Sequence, residues 1–140
     1  MNLLIFNLAT DADDPLLGFT TAWVNRLATF YDHIDVITMR VGRQALADNV
    51  SVYSVGKEQG YSEARRGVRY YGLLNRLLRE RSYAACFAHM MPLFAIMGAP
   101  LLAAPDYGKE LPIVTGLGTG VTADAAVNGN TLYAIGGGKD

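Results

Sequence analysis

Leu3-Leu4-Ile5-Phe6-Asn7-Leu8, followed by Asp14-Pro15-Leu16-Leu17-Gly18-Phe19-Thr20-Thr21-Ala22-Trp23-Val24, is the stretch whose reading decides the fold. A near-continuous apolar run suits a strand buried on both faces, as in a parallel sheet. The second stretch opens a helix: Phe19, Trp23, Leu27 and Phe30 recur at helical spacing, so they are expected to form one apolar face. The loop between strand and helix exceeds the roughly 2–6 residues usual for such a turn, and long loops are often functional. Gly18 at the helix start is read as a point of close ligand approach, where the helix N-terminus attracts negative charge. In an α/β domain, ligands gather outside the carboxyl end of the first strand.

Outward from this unit, strands are expected at 3–8, 34–40, 50–55, 84–89, 113–117 and 132–135. Ser62 and Glu63 read as the N-cap and acidic first turn of a second helix reaching about Arg81. Val68, Tyr71, Leu74, Leu77 and Leu78 are assigned to its inner face. Pro92 starts a third helix, with Leu93, Ile96, Met97 and Leu101 assigned inward. Strands alternating with helices imply right-handed βαβ units. The expected class is α/β, a Rossmann-like three-layer domain with a mostly parallel sheet and the first strand central. Residues 1–140 are read as one domain, with 105–140 atypical: rich in Gly, Ala and Asn, and lacking a good helix.

Composition narrows the function classes. The 140 residues are 51% hydrophobic with a net charge of -1, which argues against wholesale nucleic-acid binding. The single cysteine, Cys86, excludes an internal disulfide and reads as a buried core thiol. No positive region precedes the first apolar run, against a signal peptide. No run reaches the roughly 18 apolar residues of a membrane span. A cytoplasmic location is expected.

Several residue groups invite chemistry. Asp11, Asp13 and Asp14 could hold Mg²⁺ as in a response-regulator receiver. The phosphate-accepting aspartate of such a domain is replaced here by Val55-Gly56-Lys57, so the carboxylates read as solvated and no metal site is expected. Gly116-Leu117-Gly118-Thr119-Gly120 imitates a dinucleotide fingerprint, but its third glycine would fall on Val121, and it reads as a turn. His89, before Met90-Met91-Pro92, ends the fourth strand at the same sheet edge as Gly18, where it could bond a substrate hydroxyl or accept a proton. His33, at the opposite edge, reads as a surface residue. Between Ser62 and Arg81 lie six arginines against two glutamates, a net of +4. Arg65, Arg66, Arg69 and Arg76 are read either as a solvated helix face or as a patch for anionic lipid headgroups.

The stretches Asp14 to Thr20, Val36-Ile37-Thr38-Met39-Arg40-Val41-Gly42, Asn49-Val50 with Tyr53 to Ser62, and Phe87-Ala88-His89-Met90 together resemble a family. In order and spacing they are similar to the N-terminal half of retaining GT-B-fold glycosyltransferases, the group-1, glycogen-synthase-like and mannosyltransferase-like enzymes. The likeness covers residues 1–104; residues 111–117 and 121–138 look like later pieces of the same half. The family's intervening strand, histidine-bearing loop and helix are here compressed into 116–122. The resemblance implies a metal-independent hexosyltransferase with no cofactor, taking a nucleotide-activated sugar as co-substrate and transferring it with retention of configuration. It implies that His89 faces the acceptor as the catalytic candidate, with Leu17, Gly18, Phe19, Arg40, Lys57 and Met90 binding substrate. The implied partners are a sugar or lipid-linked acceptor, a second, donor-binding glycosyltransferase domain, and the inner face of a membrane. The family's donor-side Glu-x7-Glu element has no counterpart in these 140 residues, so the chain is expected to be inactive alone. A reading from another class stands beside it: a non-catalytic Rossmann-like binding module for a sugar-phosphate or protein ligand at the same edge.

Overall fold

A computed structural model describes residues 1–103 in full and the backbone course of 113–116, 123–128 and 131–136. The elements run β1 (Asn2–Thr10), α1 (Phe19–Ala28), β2 (His33–Val41), β3 (Val50–Ser54), a 3-10 turn (Lys57–Gln59), α2 (Glu63–Glu80), β4 (Tyr83–His89) and α3 (Pro92–Leu102). Strands β5 (Ile113–Gly116), β6 (Ala123–Asn128) and β7 (Thr131–Gly136) follow. They form one sheet in the order β3-β2-β1-β4-β5-β6-β7. β1 pairs in parallel with both β2 and β4, β2 with β3, and β4 with β5. The fold is thus α/β and Rossmann-like, with β1 at the centre of the parallel part. β6, which the apolar pattern does not mark, and β7 pair antiparallel. A hairpin needs no crossover helix, which fits the lack of a helical stripe in the sequence between them.

Alternation along the strands sorts the core onto two faces. Leu4, Phe6, Ile37 and Cys86 pack under α2 and α3, whereas Leu3, Ile5, Ile34 and Val36 pack under α1. Cys86 is a buried free thiol, as its neighbours indicate. The helix faces agree with the sequence expectation in part: Leu74, Leu77 and Leu78 of α2 are buried as expected. In α2 the buried stripe is Tyr70, Leu74, Leu77 and Leu78, while Val68 is 75% exposed and Tyr71 is exposed as well. In α3 the buried residues are Phe94, Ala95, Gly98 and Leu102, and Leu93 and Ile96 face solvent. Met97 and Leu101 are partly buried against the same core. A helix that is apolar all round has no periodicity to read; here the choice is steric. Gly98 faces Tyr70, and a Cβ there would collide with the Tyr70 hydroxyl. In α1 the buried stripe is Thr20, Val24 and Ala28, with Trp23 and Leu27 half-buried beside it, and Phe19 and Phe30 exposed.

Local signals set the helix ends. The Ser62 hydroxyl accepts a hydrogen bond from the Arg65 N–H at 3.3 Å and caps α2, with Glu63 favourable in the first turn. Pro92 occupies the first turn of α3. Among the described residues no helix is long and apolar enough to cross a membrane.

Candidate functional site

The carboxyl edge of the sheet gathers most of the residues singled out in the sequence. His89 closes β4, Arg40 lies near the end of β2, and Leu17 to Phe19 lead into α1. The Phe19 and His89 rings meet edge to face with centroids 5.9 Å apart. Lys57 is exposed in the 3-10 turn that follows the carboxyl end of β3.

The first loop is organised by Asp14. Its Oδ1 accepts from the Leu16 and Leu17 N–H groups, each at 2.8 Å, and its Oδ2 pairs with the Arg40 guanidinium. The chain's own carboxylate therefore occupies N–H groups of the turn that leads into α1. Gly18 has a structural reason to lack a side chain. A Cβ there would lie 2.7 Å from the Asp14 carbonyl oxygen and 2.8 Å from that of Ala12. Asp11 and Asp13 also hold the loop together, and Asp13 remains solvent-exposed as expected. Asp11 Oδ1 accepts from the Asp13 and Arg43 N–H groups, and Asp13 pairs with the Arg43 side chain. That hydrogen bond holds the Asp13 carboxyl below its ordinary value.

His89 is the most constrained group at the edge. It is 8% exposed and lies opposite Asn7 in the β1–β4 register. The Asn7 amide nitrogen donates to the Ala9 carbonyl at 2.7 Å and to Thr10 Oγ1 at 3.1 Å, which fixes its oxygen as the acceptor facing His89 Nδ1 at 3.1 Å. His89 must then carry its proton on Nδ1, leaving the Nε2 lone pair on the far side of the ring from Asn7. Burial pushes the imidazole below its ordinary pKa, which keeps it neutral. The next residue, Met90, has φ 55, a left-handed conformation that a non-glycine residue adopts only at a cost of about 1–3 kcal/mol.

An open-sided cavity of about 610 Å³ extends from His89 along the α1 face of the sheet. Leu3, Ala85 and Phe87 contribute its floor, and Trp23 and Leu27 of α1 one wall, with Arg26 also lining it. The Trp23 ring is 5.5 Å from Phe87 and 5.3 Å from His89, centroid to centroid. Asn7, Trp23 and Phe87 were not among the sequence candidates. The one available signal was the amide in an otherwise apolar central strand.

Four of the five arginines of α2 are tied to their surroundings. Arg65 stacks 3.6 Å from the Tyr61 ring centroid, Arg66 donates to the Tyr61 carbonyl, Arg69 donates to the Ser54 carbonyl, and Arg76 lies near Glu80 and over Tyr53. They fasten α2 to β3 and the turn that follows it, and Arg65 and Arg69 remain exposed.

A second polar cluster lies near the other end of the strands. Asp35 is fully buried, accepting from the Tyr83 hydroxyl at 2.6 Å and lying 3.1 Å from Arg81 Nε through Oδ2. His33 opens β2 rather than preceding it, half-buried, its Nε2 3.3 Å from Asp35 Oδ1 and 3.1 Å from Ser51 Oγ. Serine and aspartate meet the same ring nitrogen, so this is no catalytic triad, which needs one partner on each nitrogen.

Compared with protein-family models, with curated proteins and with solved structures, the chain finds no significant match. Residues 117–120 of the glycine-rich motif and residues 137–140 lie outside the described residues.

The protonation of His89 has a measurable consequence. Its folded pKa is lowered, so the unfolded chain takes up the proton first as pH falls. The stabilising contribution is complete above about pH 6.5, the unfolded value, and is lost as the pH falls through that value to the folded one. Between pH 7 and 5 the wild-type chain should lose more stability in urea titrations than His89→Gln does. Equal losses would refute a neutral, buried imidazole.

Proposed function

We propose that this chain is the acceptor-side half of a glycosyltransferase that moves a hexose from a nucleotide-activated donor with retention of configuration. The observation that carries the reading is His89, lining the cavity with its ring held through Nδ1 by Asn7; Nε2 has no hydrogen-bond partner among the described residues and would accept from an acceptor hydroxyl. The strained backbone at Met90 supports it, since such strain concentrates at functional sites. So do the carboxyl-edge position of His89 and the resemblance of residues 1–104 to GT-B N-terminal halves.

Asp14 supports assigning donor phosphates to a second domain, because it already engages Arg40 and the Leu17 N–H. The same engagement weakens the rival reading of a sugar-phosphate binding module. Stabilising a departing nucleotide diphosphate requires preorganised positive groups in a water-excluded cleft, and one half supplies one wall of it. The proposal includes peripheral contact with an anionic membrane carrying a lipid-linked acceptor. Its support is the exposed Val68 and Tyr71 on the helix that carries Arg65, Arg69 and Arg76.

Release of nucleotide diphosphate from a panel of nucleotide sugars tests the reading. The chain alone should show no turnover and donor binding on the order of millimolar, about 4 kcal/mol. A donor-binding half added in trans should produce transfer that His89→Ala abolishes. Turnover by the chain alone would refute the half-domain reading, and silence in both settings would refute glycosyl transfer. Sedimentation with anionic vesicles should be lost in high salt; indifference to both lipid charge and salt would remove the membrane contact.

A further inference from the structure

We infer that the cavity beside His89 is a binding site for an apolar alcohol or phenol, whose hydrophobic body lies against Trp23 and Phe87 and whose hydroxyl donates to His89 Nε2. This deepens the acceptor-side reading, on which it rests, by naming the class of acceptor.

The lining decides between a sugar and an apolar acceptor. A saccharide placed here would bring several hydroxyls against apolar side chains, and each left without a partner would weaken binding about tenfold or more. Among the described residues the cavity is walled by Leu3, Trp23, Leu27, Ala85 and Phe87, and its polar groups come from His89, Arg26 and Tyr31. Tyr31 follows the end of α1 remote from His89. Arg26 is turned toward Phe30, its guanidinium carbon 5.3 Å from that ring's centroid. One fixed acceptor and an aromatic wall match a ligand with one hydroxyl. The volume of about 610 Å³ falls within the range of small-molecule sites, roughly 300–1,000 Å³.

His89 Nε2 also sets which end of the ligand points where. Asn7 holds the ring by Nδ1, so the free lone pair stays on the side of the ring away from β1. A ligand hydroxyl bonded there sits at the carboxyl edge of the sheet, where a donor held by a second domain would reach it. The apolar body then extends down the sheet toward Leu3 and Leu27.

Calorimetric titration of the full chain with 2-naphthol, naphthalene and glucose tests this, with quenching of Trp23, the chain's single tryptophan, as a local readout. 2-Naphthol should bind with a dissociation constant on the order of 100 μM, and glucose should not bind. His89→Phe keeps an aromatic ring but removes the acceptor. It should weaken 2-naphthol about tenfold, the value of one hydrogen bond, and leave naphthalene unchanged. Ala85→Phe fills the floor and Leu27→Phe the helix wall, and each should weaken both aromatic ligands at least tenfold. Circular dichroism identifies a variant that has unfolded, and the other then carries the test.

Absence of saturable 2-naphthol binding, equal binding of glucose, or an unchanged 2-naphthol affinity in His89→Phe would overturn the site. A dimer in size-exclusion chromatography that excludes 2-naphthol would overturn it in favour of a self-interface. Binding of 2-naphthol with no transfer to it when a donor half is supplied would keep the site and defeat glycosyl transfer. Transfer to a saccharide without 2-naphthol binding would defeat this inference alone.

Discussion

Tyr70→Ala is expected to destabilise the fold by about 3–5 kcal/mol, the range for large aromatic truncations in a core. Tyr70 is fully buried at the point where α2, α3 and the central strand meet. Its ring stacks on Phe94 with centroids 4.3 Å apart and meets Phe6 edge-on at 5.6 Å. Its hydroxyl donates to the Phe94 carbonyl, and burial drives its pKa far above the ordinary phenol range, so it stays a donor at any accessible pH. Alanine would open a void among rigid rings that have little room to collapse inward. Since a domain of this kind is stable by only about 5–15 kcal/mol, the variant should be partly unfolded at 37 °C. Tyr70→Phe should cost about 0.5–1.5 kcal/mol, the net worth of one hydrogen bond. Urea denaturation of both variants checks this; a Tyr70→Ala cost under 1 kcal/mol would show that α3 does not dock as described.

The second large effect belongs to the buried carboxylate. Tyr83→Phe removes the hydrogen bond to Asp35 Oδ2 and leaves the ion pair with Arg81, which is itself partly exposed. Hydrogen bonds to charged groups contribute about 1.5–3 kcal/mol, and that is the expected loss. Asp35→Ala instead strands the Tyr83 hydroxyl, a group held protonated chiefly by burial and then by its bond to Asp35. Because either change breaks the same contact, the double variant should cost less than the sum of the singles by about 1–3 kcal/mol. Additivity within about 0.5 kcal/mol would mean that the two side chains are not coupled.

The parallel core was legible because strands buried on both faces leave a nearly unbroken apolar signature, as in 3–8. Helix faces were less legible. α3 is apolar all round, so only the contact of Gly98 with Tyr70 reveals which side turns inward. β6 reads Ala123-Asp124-Ala125-Ala126-Val127-Asn128, residues of weak strand preference, and its pairing with β5 is a long-range decision. At the candidate site, the sheet-edge positions of His89 and Gly18 follow from element order. The partner of His89 does not, because Asn7 becomes its neighbour only through the β1–β4 register. Nor could the sequence show that Asp14 reaches Arg40, a pairing fixed by the loop's course across the end of β2.

The two layers of the molecule carry separate intrinsic reporters. Trp23, the single tryptophan, packs on the α1 side, and Cys86, the single cysteine, belongs to the core under α2 and α3. Burial raises the Cys86 thiol well above its ordinary pKa, so disulfide-exchange reagents should reach it only through an opening of the structure. When reclosing is fast, the labelling rate measures the free energy of that opening. Trp23 emission follows the other layer in the same sample. If its emission changes in denaturant before Cys86 becomes reactive, α1 undocks before the α2–α3 layer does; coincidence would identify a single cooperative unit, without any label being engineered into the chain.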